Sequence, residues 1–300
     1  MPAATAVAGP SPGTGPTDAE TRYPLVLAHG LSGFSRMGPI DYWFGIAADL
    51  RAHGATVYVS QVSSFNSSDV RGRQLLAQVE YIVATTGARK VNLIGHSHGS
   101  QSARYVAAMR PDLVASVTSV SGPAKGSPMA DTIKRWSDAV GGFLSQLVIV
   151  PVNGLGWLIN RLAGESLPQD SYAALNSLTT QGAVRFNQRF PAGVPTEPCG
   201  QGAPEVNGVR YYSWSGVGRF YRSFNPADYG MALTGLSFKA RDDNDGLVGR
   251  CSSHLGVVIR DDYPMNHFHA VNQIFGVVGR DVDPVALFRE HAARLKQAGL

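Results

Sequence analysis

The pentapeptide Gly95-His96-Ser97-His98-Gly99 sets a serine between two glycines. It follows Val91-Asn92-Leu93-Ile94, an apolar run that reads as a buried strand, and precedes residues 100–109, which read as a helix. A serine on a tight strand-to-helix turn is lifted off the sheet with its hydroxyl exposed, and the flanking positions must then lack side chains. A merely serine-rich turn would leave both glycines without a purpose. The hydroxyl is a weak nucleophile near neutral pH, so Ser97 needs a base, and that base needs an acid to orient it. In this arrangement the partners follow in the order serine, acid, histidine. Of the eight histidines, His53 and His291 fall on helical stretches expected to be solvated. His96 and His98 flank the serine and diverge from it, and His29 belongs to a strand-end loop. His254, His267 and His269 remain. His267 is favoured because it sits in a late loop after Tyr263-Pro264-Met265-Asn266. Asp242, Asp243 and Asp245 are the acid candidates. Asp245 precedes Gly246, a turn able to aim a side chain inward, whereas the other two read as solvated loop charge.

The tetrahedral intermediate also needs donors for its oxyanion. One is the N–H after the nucleophile, that of His98. The other comes from the loop after an early strand, Ala28-His29-Gly30-Leu31-Ser32-Gly33, where the N–H of Leu31 is well placed.

The elements that must position these groups alternate. Residues 23–28, 55–59, 91–94 and 116–120 read as strands; residues 42–53, 70–85 and 99–109 read as helices between them. Repeated strand–helix units with short links imply a mostly parallel sheet flanked by helices, an α/β-hydrolase fold. Further on, residues 209–214 and 237–240 read as strands, and 284–297 as a helix capped by Asp283 with Pro284 at its first position. Residues 133–163 break the pattern with apolar clusters interrupted by glycines. Ordinary core helices are one reading; a helical lid over an apolar site is the reading preferred here, because the sheet helices are already accounted for.

Residues 1–20 are rich in Pro, Ala, Gly and Thr and are expected to be disordered, leaving 21–300 as a single domain. They lack the basic start and apolar stretch of a signal peptide, so the protein is either cytoplasmic or one whose signal has been replaced by Met1. The 300 residues, 44% hydrophobic and 16% charged, describe a globular core with a surface carried by Ser, Thr, Asn and Gly. A net charge of +4 without a Lys/Arg cluster gives no sign of nucleic-acid binding. No apolar run is long enough to span a membrane. The two cysteines, Cys199 and Cys251, both lie in loop-like sequence. That suits a disulfide better than two buried thiols, and a disulfide implies export.

The chain also resembles the secreted bacterial triacylglycerol lipases of the Pseudomonas and Burkholderia type. The resemblance runs from about residue 23 to the C-terminus. It rests on Leu27-Ala28-His29-Gly30, Asp41-Tyr42-Trp43-Phe44-Gly45-Ile46, Val70-Arg71-Gly72, residues 91–99, Arg104-Tyr105-Val106-Ala107, residues 211–216, 244–249 and 251–255, and Met265-Asn266-His267. It implies Ser97 as nucleophile, Asp245 as acid, His267 as base, Leu31 and His98 as oxyanion donors, and a Cys199–Cys251 disulfide. It also implies export by a signal peptide and folding with a dedicated periplasmic foldase.

Two departures stand out. The family holds one structural Ca²⁺ with two aspartates and backbone carbonyls. The aspartate positions are Asn225 and His269 here, and neither is a carboxylate. Loss of that calcium site is therefore expected, with no other cofactor, and with His269 bonding Asn225 directly; the competing expectation is that Asp228 replaces a missing ligand. The second departure is Ser100, where the family has a second glycine after the elbow. The sequence thus points to a secreted carboxylic-ester hydrolase acting through an acyl-enzyme, most simply a lipase working on lipid ester at an interface. The alternatives are an esterase or polyester depolymerase on the same triad, and, from another class, a non-catalytic lipid-binding protein.

Overall fold

The computed structural model describes residues 15, 17–139, 141–218, 220–221, 225–239 and 242–300, with backbone alone for 141–148. A central sheet runs in the order β4-β1-β5-β6-β8-β7, with β9 also paired to β8. The strands are β1 (Leu25–Ala28), β4 (Val57–Val59), β5 (Val91–His96), β6 (Val114–Val120), β7 (Glu205–Val206), β8 (Val209–Gly216) and β9 (Val257–Tyr263). Every pairing in it is parallel except β7 with β8. A separate hairpin joins β2 (Arg36–Met37) to β3 (Ile40–Asp41).

Parallel strands covered on both faces are buried along their length. Both β1 (LVLA) and β6 (VASVTSV) are buried at every position, and in β6 the Ser116 and Thr118 hydroxyls find partners in Asn92 and His291. One face packs on α1 (Ile46–Ala52) and α9 (Pro284–Gln297), where Trp43, Ile46, Leu50, Phe288 and Leu295 form one core. The other face packs on α2 (Ser68–Thr86) and α3 (His98–Met109) through Leu75, Val79, Leu93 and Val106. Full burial of a side chain of this size is worth about 1.5–3 kcal/mol. Helix α2 is capped by Ser67, whose side chain accepts the Val70 N–H, and α9 by Asp283, which accepts the Ala286 N–H.

After β6 come α4 (Pro128–Ala139), α5 (Gly141–Leu162), α6 (Ser171–Leu178) and α7 (Thr180–Arg189). The expected lid, residues 133–163, falls on α4 and α5, although residue 140 and the side chains of 141–148 lie outside the described residues. Among the described residues, no helix is long and apolar enough to cross a membrane.

Several expectations are corrected. The strand expected at 237–240 is absent over its described residues, 237–239: after α8 (Ala227–Thr234) the chain makes a 3-10 turn, Gly235–Ser237, and Ala240 lies outside the described residues. The strand beside β8 is instead β9. Helix α1 starts at Ile46 rather than at Tyr42, which belongs to the preceding loop. His291 is not solvated; it is 1% exposed, with its Nε2 2.8 Å from the Thr118 hydroxyl of β6. Most of residues 1–20 lies outside the described residues, but Ala19 is fully buried and its N–H donates to His53 O at 2.9 Å. The packed chain therefore begins before residue 21. The cysteines form the Cys199–Cys251 disulfide, with Cα atoms 4.6 Å apart.

Candidate active site

Strand β5 ends at His96 and α3 begins at His98, so Ser97 alone makes the turn, with φ 53° and ψ −126°. A left-handed backbone costs a residue with a side chain of order 1–3 kcal/mol. The surroundings enforce it: the Ser97 N–H donates to Val120 O at 2.9 Å, and Ser97 C=O accepts the Ser100 N–H at 3.0 Å. A Cβ at Gly95 would lie 2.4 Å from Gly99 O, and one at Gly99 only 2.1 Å from Ala28 O. Both glycines are required because α3 crosses directly over β1 and β5. Ser100 is buried against Gly122, where an added Cβ would meet its hydroxyl at 2.1 Å.

The loop after β9 brings His267 to the loop holding Asp245. His267 Nδ1 lies 2.8 Å from Asp245 Oδ2, and the His267 N–H donates to Asp245 O at 3.0 Å. Asp245 is fully buried and His267 is 3% exposed. The other carboxylate oxygen, Oδ1, accepts the N–H groups of Leu247 at 3.0 Å and Val248 at 2.8 Å. A carboxylate only accepts, so Nδ1 carries the imidazole proton and Nε2 is left as the acceptor. Asp242 and Asp243 are exposed, and Asp243 lies 3.5 Å from Arg250. His254 is turned away, with Nε2 2.9 Å from Asp261 and Nδ1 3.0 Å from Gly200 O.

The loop at Gly30–Leu31 is pinned on every side. Arg71, buried under it, donates Nη2 to His29 O at 2.6 Å and to Gly30 O at 3.0 Å, and Nη1 to Ser63 O. His29 Nδ1 donates to Gly30 O at 2.9 Å, while its Nε2 accepts the Val62 N–H at 3.2 Å. Burial, helped by the Arg71 charge, lowers the His29 pKa to about 3. The Ser32 N–H donates to Ser64 O at 2.9 Å, and Ser64 Oγ donates to Gly33 O at 2.8 Å. His98 opens α3, where first-turn N–H groups have no partner inside the helix. Its ring is held by Ser68, with Nε2 2.9 Å from Oγ. His96 turns to other partners, Tyr42 and the His267 carbonyl.

An apolar cavity of about 270 Å³ opens beside Leu31, walled by Phe65, Ile133, Trp136, Val152 and Leu175. Outward from it, Trp136, Val150, Leu155, Trp157 and Leu162 are each at least half exposed. The foot of α5 is tied by Asn160, fully buried, whose Nδ2 donates to Ser64 Oγ at 3.1 Å; Gln169 in turn donates to Asn160 Oδ1. Sequence reasoning missed this tie because Asn160 sits in an otherwise apolar stretch and its partner is far away in the chain.

At the family's calcium position the residues present do not fit the cation. Carbonyls only accept, so the Asn225 group facing Gln273 O at 2.9 Å and Val277 O at 2.7 Å is its NH₂; the Asn225 Oδ1 accepts the Ala227 N–H at 2.9 Å. The two carbonyls point at an amide donor. His269 does not bond Asn225 as expected. Its Nε2 is 3.1 Å from Asp228 Oδ1, both groups being fully buried, and Asn266 Nδ2 donates to the same oxygen at 2.7 Å. Asp228 is thereby committed to these neighbours. Calcium wants hard, largely anionic oxygens; here the two carbonyls face the Asn225 NH₂, and the nearby carboxylate, Asp228, is already held by His269 and Asn266.

The matching family is that of the alpha/beta hydrolase fold, over residues 23–269. The chain belongs to it. It is 54% identical over 283 residues to a triacylglycerol lipase of Vibrio cholerae serotype O1, covering 94% of this chain and 90% of that one. It is 45% identical to a triacylglycerol lipase of Pseudomonas fragi, covering 93% and 98%, and 40% identical to one of Burkholderia plantarii, covering 99% and 92%. Within the α/β hydrolases, therefore, the chain is a member of the bacterial triacylglycerol lipase family. Among solved structures, a metagenomic carboxyl esterase superposes with a TM-score of 0.64 at 17% identity, covering 97% of this chain and 80% of its own. A Bacillus licheniformis lipase gives 0.58 at 20% identity, covering 87% and 90%.

Proposed function

We propose that this protein hydrolyses the carboxylic esters of acylglycerols through an acyl-enzyme on Ser97. The observation that carries the reading is the fully buried Asp245 carboxylate 2.8 Å from His267 Nδ1, which leaves Nε2 as the base for the elbow serine. Ser97 Oγ attacks the ester carbonyl while His267 takes its proton. The alkoxide leaves with that proton, and water activated by His267 then releases the fatty acid. The N–H groups of Leu31 and His98 stabilise the oxyanion, which bears full charge only as the transition state forms.

A lipase rather than an esterase for soluble substrates is favoured by the apolar cavity at Leu31 and by the exposed indoles of α4 and α5. Helices α4 and α5 act as the lid, opening on the foot held by Asn160. The disulfide fits export to an oxidising compartment, and the family resemblance extends that reading to a foldase during secretion. The Asn225 amide and the Asp228–His269 pair hold the His267 loop in place of calcium.

Initial rates on a triacylglycerol series, taken across the solubility limit, test the lipase reading. The rate should rise once emulsion forms, and Trp136→Ser/Trp157→Ser should lose that rise while keeping its rate on a soluble short-chain ester. Smooth saturation below the solubility limit, with no gain on emulsion, would favour the esterase.

A further inference from the structure

One chain of hydrogen bonds joins the two halves of the site and has no part in the mechanism above. The Gly30 N–H donates to Tyr42 Oη at 3.0 Å, Tyr42 Oη lies 2.7 Å from His96 Nδ1, and His96 Nε2 lies 3.1 Å from the His267 carbonyl oxygen. Its direction follows from the atoms. A carbonyl accepts, so His96 Nε2 carries the hydrogen; with the ring neutral, Nδ1 accepts and the Tyr42 O–H donates to it. Tyr42 Oη can then accept from Gly30. Every donor and acceptor role along the path is filled, with Tyr42 Oη both accepting and donating.

We infer that Tyr42 and His96 are positioning residues that set the reach between the oxyanion loop at Gly30–Leu31 and the base loop at His267. The inference rests on the catalytic reading of Ser97 and His267 given above. Gly30 immediately precedes the proposed donor Leu31, and the terminal acceptor belongs to the base itself. The donors on the Gly30 carbonyl, from Arg71, His29 and the Gly33 N–H, tie it to the body of the protein but not to His267. Among the described hydrogen bonds the Tyr42–His96 path is the one that reaches His267 itself; the Tyr42 carbonyl also accepts from Gln273 Nε2 at 3.0 Å, and the Gln273 N–H donates to Phe268 O at 3.0 Å, beside the base.

Packing supports the role. His96 is 2% exposed, and its ring centroid lies 4.6 Å from that of His267. A cation there would oppose the imidazolium that forms on His267 during the reaction. Burial, reinforced by the His267 charge, holds the His96 pKa well below its usual value. Tyr42 is boxed in by the rings of His29, Phe34, Trp43 and His96, with centroids 5.5–6.0 Å away. The hydroxyl has little freedom to find another partner. A Cβ on Gly30 would lie 2.7 Å from Tyr42 Oη and 2.9 Å from Ser97 Cβ, so hydroxyl, loop and nucleophile meet at one point.

Tyr42→Phe removes the hydroxyl and leaves the ring. A small misplacement of reacting groups costs on the order of 100-fold in rate, so kcat per active site should fall roughly 10- to 100-fold with KM within about twofold of wild type. Active sites are counted first with a chromogenic alkyl phosphonate, which labels the serine and releases one equivalent of nitrophenol. A residue with only a structural role lowers that count; a positioning residue lowers the rate per counted site. His96→Gln, which keeps one donor and one acceptor on neighbouring atoms, should recover most of the activity that His96→Leu loses. The inference is overturned if Tyr42→Phe turns over within threefold of wild type per site, if its loss is wholly a loss of counted sites, or if His96→Gln is no better than His96→Leu. Labelling of wild type but not of Ser97→Ala checks the underlying catalytic reading separately. Where that labelling holds, the Tyr42 and His96 results bear on the relay alone.

Discussion

Replacing Asp245 by asparagine changes one oxygen into an NH₂ and almost nothing in shape. Three donors converge on the carboxylate: Leu247 N–H and Val248 N–H on Oδ1, and His267 Nδ1 on Oδ2. The asparagine must keep its oxygen toward the two backbone donors, because turning it would set NH₂ against two N–H groups and cost about 1–3 kcal/mol for each donor left unsatisfied. Its NH₂ therefore faces His267 Nδ1, which must become an acceptor. The imidazole then carries its proton on Nε2, the atom that has to accept the serine proton. The wrong tautomer and the lost support for the imidazolium together should lower kcat by about 10⁴-fold, with KM little changed. Both backbone hydrogen bonds survive, so Tm should move only a few degrees. Hydrolysis of a nitrophenyl ester, normalised to folded protein by circular dichroism, reads this out, with Asp242→Asn and Asp243→Asn alongside; these exposed residues should remain near wild type. Retention of more than about a tenth of the activity in Asp245→Asn, or equal losses in all three, would refute the tautomer argument and move the acid elsewhere.

Removing the disulfide, as Cys199→Ser/Cys251→Ser, opens a link across 52 residues; chain entropy assigns it about 4 kcal/mol, so Tm should drop by roughly 8 °C, and a drop under 2 °C would count against that estimate. Burial depresses the pKa of His29 to about 3 and holds those of His96, His98 and His291 well below the usual value. The unfolded chain protonates its histidines near 6.5, so the stability they represent is complete above that pH and falls as pH drops below it, by about 1.4 kcal/mol per unit for each group. Urea midpoints should therefore decline steeply from pH 7 to pH 5, and a flat profile would contradict the burial. Chelator should leave Tm and activity unchanged, whereas stoichiometric calcium after dialysis would show that the Asn225 amide does not replace the cation.

Much of the architecture was legible because its causes are local. The elbow announces itself by glycines that the approach of α3 to β1 demands, and the buried strands by short, largely apolar or small-residue runs between helical stretches. The Asp283 cap lies beside the helix it starts. What escaped depends on distant partners. Strand β9 reads VVIRDDY; its charges suit a partly exposed position beside β8, and they disguise it as loop. Residues 237–240 look strand-like, yet Ser237 closes a 3-10 turn that continues from α8, and Phe238 and Lys239 join no strand. His291 sits on an amphipathic helix, and only the Thr118 hydroxyl, 173 residues away, explains its burial. The Tyr42–His96 contact likewise crosses 54 residues. At the calcium position the absence of carboxylates was legible, but the partners were not: His269 was expected on Asn225 and lies on Asp228, because Asn225 spends its NH₂ on two carbonyls.

Fatty-acid release from a triacylglycerol emulsion decides whether Ser97 is the nucleophile of a triacylglycerol hydrolase. Wild-type protein and Ser97→Ala are compared by alkali uptake at constant pH, each at a concentration fixed by absorbance and each shown folded by its melting curve. Wild type should release fatty acid steadily, and Ser97→Ala should lose at least about 10⁴-fold at unchanged Tm, since removing a triad nucleophile costs several orders of magnitude in turnover. Release by Ser97→Ala at more than a few per cent of the wild-type rate, or no release by wild type from any triacylglycerol, would contradict that assignment.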